Sequence, residues 1–578
     1  MNYRAPTFEQ LFALRHTTEI DDLANYERFA AAGPELVEAI VKCASAFAEG
    51  EYGPLSRSGD QIGARWDDGQ VIMPPGFGNA YHGSVKGGWG SISGPVAYGG
   101  QGLPFALTTV VLECLGSANF GLNLIHGLTI GAIEAIENHG TPEQKAKWLP
   151  KLITGEWPGT MNLTEPHAGS DVGALRASAE PISGALYRIK GTKIFITFGE
   201  HDMAENIVHL VLARTPGAPQ GTRGISLFLV PKYRLDAQGQ PAEFNHVRCL
   251  SIEKKLGIHA SPTCVMSFGE DGECIGELIG DEGSGMRAMF TMMNSARLNV
   301  GNQGVQIAEV ATQRALGYAS QRVQSARSDG SSGKQPVAII EHPDVRRMLM
   351  RMRALTQAAR ALVYYAAGRA DRSSLGISGA AERLDLLTPM VKAYCTDIGC
   401  EVASIAIQIH GGMGFIEETG VAQLYRDVRI TPIYEGTNGI QAADLVGRKL
   451  VSDGGAALLE LLDEIGADSR DEIELEKLRT AVSESARWML GAGVNDRLAG
   501  SYPFLTMTAG VVAGWLLLRQ ERAAKLHSSE YGERFSSAKC AAARYYLTQI
   551  VPEIAGLEAQ VRVGADVLYA LSTDTLTA

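Results

Sequence analysis

The spacing of apolar and polar positions changes character three times along the chain. In residues 26–49 the apolar positions Phe29, Val37, Ile40, Val41 and Phe47 fall on one helical face, and Gly50 ends the pattern. Residues 56–102 are rich in glycine and polar side chains, with one strand-like run at Val71-Ile72-Met73. Residues 107–138 read as strongly helical up to Gly140. Thr141-Pro142-Glu143-Gln144 then reads as a new helix start: threonine caps it, and proline suits the first helical position because it has no N–H to lose. From 161 to about 280 the texture is short β-branched and aromatic runs (Tyr187-Arg188-Ile189, Ile194-Phe195-Ile196, residues 207–212 and 225–230). Turns at 216–219 and 236–239 separate them. Strands at this spacing without intervening helices predict an antiparallel β domain. At Gly285 the helical period returns, through Met289, Met293, Ala296, Val300, Gly304, Ile307, Ala311, Ala315 and Tyr318, and predicts one long amphipathic helix. A polar insert at 325–336 reads as a loop. Helices are predicted at 342–368, 380–409 and 439–450, and the chain after 451–455 reads as helical to its end.

The predicted fold is mainly α with a central antiparallel β domain. Its parts are an N-terminal helical domain (1–159), a β domain (160–283), a helical bundle (284–452) and an additional C-terminal helical domain (453–578). A chain of 578 residues, 45% apolar and 20% charged, has the composition of a globular protein of several domains. The net charge of −12 argues against nucleic-acid or anionic-membrane partners. The eight cysteines include no C-x-x-C pair and no metal-ligand spacing, which predicts reduced thiols, no metal and a cytoplasmic setting. No apolar core follows Met1, so no signal peptide is expected. The most apolar stretch, 509–518, is about half the ~20 residues a membrane span needs and reads as a buried helix.

Several candidate motifs dissolve on inspection. Gly283-Ser284-Gly285-Met286-Arg287-Ala288 fits the loose dinucleotide fingerprint, with Glu309 further on. That fingerprint requires a strand–helix–strand unit, whereas here one helix carries both the glycines and Glu309. Zinc-hydrolase, P-loop and serine-esterase signatures are absent. Two loops remain. Leu163-Thr164-Glu165-Pro166-His167-Ala168-Gly169-Ser170-Asp171 consists of turn formers, yet it lies where the helical pattern gives way to the β pattern, a place that suits a ligand seam. Ile433-Tyr434-Glu435-Gly436-Thr437 holds a carboxylate just ahead of a helix. If buried, its pKa would rise toward the range useful for taking a proton at neutral pH. His410 precedes Gly411-Gly412 and reads as a helix C-terminal residue favoured by the dipole; the two glycines would permit a close backbone approach to a ligand.

In this order and separation the two loops resemble the signatures of the FAD-dependent acyl-CoA dehydrogenases, over about 94–449, and the order of helical, β and helical blocks agrees. The resemblance implies FAD contacts at Met161, Leu163, Thr164, Gly169 and Ser170, and at Phe195 and Thr197 in the next strand, where the family commonly has Trp in place of Phe195. It implies further FAD contacts at Arg322 and Gln324, at Gln408, Gly411 and Gly412, and at Thr437. Some of these would come from a neighbouring subunit, hence a homo-oligomer, most simply a dimer. Acyl-CoA contacts are implied at Ser170, Asn294, Arg297 and Gly436, and Glu435 as the catalytic base. Some family members carry that base on the helix where this chain has Ala296, which leaves Glu435 as the candidate. The implied activity is α,β-dehydrogenation of an acyl-CoA, with electrons passed to an electron-transfer flavoprotein. The extra C-terminal domain and the run Glu253-Lys254-Lys255-Leu256-Gly257-Ile258-His259 resemble a bacterial subgroup of about this length that includes 3-methylmercaptopropionyl-CoA dehydrogenases, which implies 3-(methylthio)propanoyl-CoA or another short- or medium-chain acyl-CoA as substrate. Alternatives are a medium- or long-chain fatty acyl-CoA dehydrogenase, an acyl-CoA oxidase, or a non-catalytic DNA-binding flavoprotein. The mixed charge of 453–578 speaks against the last.

Overall fold

Where the chain reads as apolar nearly all round, at 107–138, the periodicity does not reveal a break. The computed structural model, which describes residues 3–578, shows two helices there, Phe105–Ala118 and Phe120–His139. The signal is Asn119: its backbone leaves the helix at φ −148° and ψ 95°, and its side chain caps the next helix by accepting from Leu122 N–H. The following helix, Pro142–Thr154, begins as its sequence predicts. Thr141 Oγ1 accepts from Gln144 N–H at 3.3 Å, and Gln144 Oε1 accepts from Thr141 N–H at 3.0 Å. Both orphan donors are thereby satisfied reciprocally. Thr141→Ala is expected to lower stability by about 1 kcal/mol. A shifted denaturant midpoint at constant slope would show it, and an unchanged midpoint would rule it out.

These helices belong to a unit formed by residues 3–5 and 35–296, which also holds the β domain. Its main sheet runs in the order Val247–Ile252, Thr263–Phe268, Leu186–Thr197, Ile275–Ile279, Ile225–Pro231, Val208–Arg214, Gly159–Asn162. Ser178–Ser183 pairs with both Leu186–Thr197 and Val208–Arg214. Most pairings are antiparallel, as the strand spacing predicts. Gly159–Asn162 is different: it lies parallel to Val208–Arg214, because a long excursion separates the two strands. The twelve-residue strand Leu186–Thr197 changes partners at Gly191, whose φ is +153°. A Cβ there would sit 2.7 Å from that of Ala177, so the bend requires glycine. Gly285 opens the helix Gly285–Gln321 directly against a strand: a Cβ would lie 2.5 Å from the Ser226 carbonyl carbon. That glycine therefore serves helix–strand packing.

The second unit comprises 6–34 and 297–578 and is helical. The remainder of Gly285–Gln321 crosses Ala380–His410 at glycines: a Cβ on Gly304 would fall 2.1 Å from Cys395 O, and one on Gly301 2.4 Å from Val391 Cγ1. Backbone contact at this crossing brings Arg297, one turn before Gly301, level with Lys392, the neighbour of Val391. The chain after Gly455 folds into helices including Ile473–Gly491, Ser501–Leu526 and Glu533–Tyr545. Ser501–Leu526 packs on Pro343–Ser374, Ala380–His410 and Asn438–Asp444. By length and composition it could cross a membrane, but 83% of its apolar window is buried inside the protein.

Candidate active site

In the β-bearing unit, the loop after Gly159–Asn162 is held by a buried ion pair. Lys193 Nζ, wholly buried, donates to Glu165 Oε1 at 2.8 Å and to Leu163 O at 3.1 Å. The same carboxylate accepts the backbone N–H groups of Arg176 and Ala177, at 2.7 and 3.0 Å. Burial alone would push the Glu165 carboxyl up, but Lys193 and the two N–H donors outweigh it and hold the pKa below the usual value. Burial brings Lys193 down to about 8. Glu165 and Ala168 exchange both backbone hydrogen bonds at 3.0 Å, closing a tight turn around Pro166 and His167, and Ile194 N–H ties the strand to Thr164 O at 2.9 Å. Gly169 and Ser170 are left exposed just beyond this clamp, with Leu163 and Thr164 half-buried and Met161 in the core.

The adjoining strand carries a bulge opposite Cys264 and Met266, and at that point Phe195 has φ +61°. Left-handed backbone is costly for a phenylalanine. A bulge re-aims a side chain, and here the ring is 59% exposed, while Ile196 and Phe198 on either side of Thr197 are buried. A strained residue presenting an aromatic ring, beside a braced loop with an open glycine backbone, fits an isoalloxazine-type partner. A Cβ on Gly169 would meet no atom within 4 Å.

In the helical unit, Glu435 sits at φ +55° and Gly436 at +84°, a sharp reversal before the helix Asn438–Asp444. Thr437 Oγ1 caps that helix by accepting from Ile440 N–H at 3.2 Å. The carbonyl of Glu435 accepts from Arg297 Nε at 3.4 Å and Gln441 Nε2 at 3.3 Å, and Gly436 O also accepts from Gln441. No protein acceptor among the described residues takes the Glu435 N–H. The side chain is half-buried, and burial pushes its pKa above the usual value; Arg297 and Lys392 pull it part of the way back. Tyr434, raised first by burial and then by Glu435, donates to Gln303.

The ends of the two long helices lie together, with Tyr318 stacked on His410 at 4.3 Å. Gln408, Gly411 and Gly412 are exposed at one end and Arg322 and Gln324 at the other, with Arg322 donating to Gln324 Oε1 at 3.2 Å. A Cβ on Gly411 or Gly412 would meet nothing within 4 Å, so this backbone is open to a ligand. Asn294 is exposed on its helix and Arg297 is buried. Sequence reasoning places Glu165 in the flavin-side loop and Lys193 at the start of the next strand without seeing that they pair, and it overlooks Lys392 and Asn438. Lys392 carries a usable signal, a lone cation in the apolar run from Met390 to Cys395, whereas Lys193 follows Arg188 and Lys190 closely and does not stand out.

Family models match along almost the whole chain. They are the acyl-CoA dehydrogenase N-terminal domain at 35–156, middle domain at 160–270 and C-terminal domain at 283–450, and an acetyl-CoA dehydrogenase C-terminal-like domain at 467–572. The chain is 44% identical to 3-methylmercaptopropionyl-CoA dehydrogenase of Ruegeria pomeroyi, over 99% of this chain and all of that one. It is 35% identical to a butyryl-CoA dehydrogenase of Syntrophomonas wolfei, over 87% of this chain and 88% of the other. A Bacillus anthracis acyl-CoA dehydrogenase solved with FAD has the same fold, at a TM-score of 0.74 and 22% identity, over 94% of this chain and 90% of that one.

Proposed function

Because the chain belongs to the acyl-CoA dehydrogenase family, FAD-dependent oxidoreductases acting on CH–CH bonds, we propose that it converts a short- or medium-chain acyl-CoA to its 2-enoyl-CoA with Glu435 as the base. The observation that carries this reading is the environment of Glu435: a carboxylate on a strained reversal, with its pKa raised by burial and two cations nearby. A carboxylate whose pKa is raised by burial binds a proton more strongly than an exposed one, which is the property a general base needs. In this reading Glu435 takes the proton from the carbon next to the thioester carbonyl. Its own N–H, without a protein acceptor, donates to the carbonyl oxygen as enolate charge develops. Arg297 and Gln441 hold the loop by its carbonyls so that the carboxylate keeps its aim.

FAD, when bound, supplies the hydride acceptor for the neighbouring carbon. The residues that would hold it are Met161, Leu163, Thr164, Gly169, Ser170, Phe195 and Thr197 in the β-bearing unit, and Arg322, Gln324, Gln408, Gly411, Gly412 and Thr437 in the helical one. Ser170, Asn294, Arg297 and Gly436 would meet the acyl-CoA. The favoured substrate is 3-(methylthio)propanoyl-CoA, supported by the 44% identity over the full length of the Ruegeria enzyme. Reoxidation by an electron-transfer flavoprotein, a homodimeric assembly and a cytoplasmic setting complete the reading.

The purified protein is expected to be yellow, with one FAD per chain. Anaerobic addition of 3-(methylthio)propanoyl-CoA should bleach it faster at equal concentration than butyryl-CoA or longer chains. The reduced protein should be reoxidised by electron-transfer flavoprotein and far more slowly by oxygen. Preferential bleaching by butyryl-CoA would move the substrate assignment, and rapid reoxidation by oxygen would make the protein an oxidase.

A further inference from the structure

A continuous line of hydrogen bonds joins the C-terminal addition to the Glu435 loop. Tyr502, second residue of the helix Ser501–Leu526, donates through its hydroxyl to Asp397 Oδ2 at 2.7 Å. Asp397 Oδ1 accepts from Asn438 Nδ2 at 2.9 Å, and Asn438 Oδ1 accepts from the wholly buried Lys392 Nζ at 2.8 Å. Asn438 is three residues after Glu435, and its amide also donates to Thr396 Oγ1 at 3.0 Å and Ala393 O at 3.2 Å. Its backbone N–H donates to Pro432 O at 2.9 Å, which closes the Glu435 reversal from beneath.

We propose that Tyr502 is a positioning residue for catalysis, holding the Lys392 ammonium beside the Glu435 loop through Asp397 and Asn438. This rests on the reading of Glu435 as the base. Glu435 faces Arg297 and Lys392, with Tyr434 next to it; Lys392 faces Glu435, Asp397 and Arg297. Asp397 faces Tyr502, Lys392 and Arg429, and Cys400 lies near it; Arg297 faces Asp444, Arg448 and Asp385.

Burial brings Lys392 down to about 7, so near neutral pH its charge depends on the anions that face it. Burial pushes Asp397 up, and the hydrogen bonds from Tyr502 and Asn438 oppose that. Removing the Tyr502 hydroxyl lets Asp397 hold its proton to higher pH. Lys392 then loses a partner anion and sheds its own proton more readily. Glu435 in turn loses a neighbouring cation, and its pKa rises. The limb of the rate profile that reports Glu435 ionisation therefore moves to higher pH.

The test is single-turnover flavin bleaching by butyryl-CoA across pH, in FAD-loaded full-length protein carrying Tyr502→Phe, Lys392→Met or Glu435→Gln. Phenylalanine keeps the ring packing of Tyr502, so Tyr502→Phe should fold and reach the wild-type plateau, with its acid limb moved up by about half a pH unit. Lys392→Met should move the limb by about one pH unit or more in the same direction. A Tyr502→Phe profile that superimposes on wild type, or falls by one factor at every pH as a purely structural role would give, overturns the proposal. If Lys392→Met does not fold, the Tyr502→Phe profile decides alone. Should Glu435→Gln keep the wild-type rate, it is the base assignment that fails. Should it lose the rate while the Tyr502→Phe limb stays put, only the Tyr502 proposal fails.

Discussion

Glu435→Gln is expected to cut the single-turnover rate of flavin bleaching by at least ~10²–10⁴-fold at saturating acyl-CoA, the usual scale for losing a general base. FAD and acyl-CoA binding should stay nearly intact. Glutamine keeps the volume of glutamate, and the loop is held through backbone groups: the Glu435 carbonyl accepts from Arg297 and Gln441, and the Asn438 N–H reaches Pro432 O. The substitution removes the proton acceptor and little else. Single-turnover bleaching is the proper readout, because steady-state rates can be set by product release or by the electron acceptor. Bleaching at close to the wild-type rate would place the base on another residue.

The second large effect is on stability and cofactor retention. Glu165→Gln leaves the fully buried Lys193 without its carboxylate, and breaking a buried pair on one side costs about 3–5 kcal/mol. The damage should centre on the loop that precedes Gly169 and Ser170, so the variant should also release FAD. The pH dependence follows from the two groups. In the wild type the folded pKa of Glu165 lies below its unfolded value, so its contribution is complete above about 4.3 and is lost as pH falls through the folded value. In the variant Lys193 remains, with a folded value brought down to about 8 even beside the carboxylate. Between the folded value and the unfolded ~10.4 the unfolded chain binds more protons, so the variant should regain stability as pH rises through that window. Denaturant midpoints at several pH values check this. A midpoint equal to wild type at neutral pH would show that the pair contributes nothing net.

Much of the architecture is legible in the chain because its elements are long and their periods distinct. Gly285–Gln321 shows a sustained helical spacing, and the β domain shows short runs at regular turns. The capping box at Thr141 and Gln144 is local chemistry and reads directly. What escapes is whatever depends on partners distant in sequence. The break at Asn119 hides in a helix pair buried on all sides, and the parallel pairing of Gly159–Asn162 follows from strand order, which period alone does not encode.

The same division runs through the site. Glu435 and the loop from Leu163 to Asp171 stand out as short motifs. Their supports do not: Lys193 reaches Glu165 across 28 residues, Lys392 reaches Asn438 across 46, and Tyr502 reaches Asp397 across 105. The run 253–259 lies inside the stretch matched by the middle-domain model, and the C-terminal addition is matched by a model of its own at 467–572. A lone lysine in an apolar run, as at Lys392, is the residue-level sign of such a support, since a buried cation persists only where an acceptor has been built for it.

The proposed role of Glu435 is to remove the proton α to the thioester in the step that reduces the flavin. Its most direct test is anaerobic single-turnover bleaching of the FAD-loaded protein by 3-(methylthio)propanoyl-CoA, unlabelled or dideuterated at the α-carbon. One equivalent of 2-enoyl-CoA per flavin bleached and a clear slowing by α-deuterium are expected in the wild type, with bleaching all but lost in Glu435→Gln. Bleaching at a rate indifferent to α-deuterium, or a flavin that no acyl-CoA reduces, would contradict it.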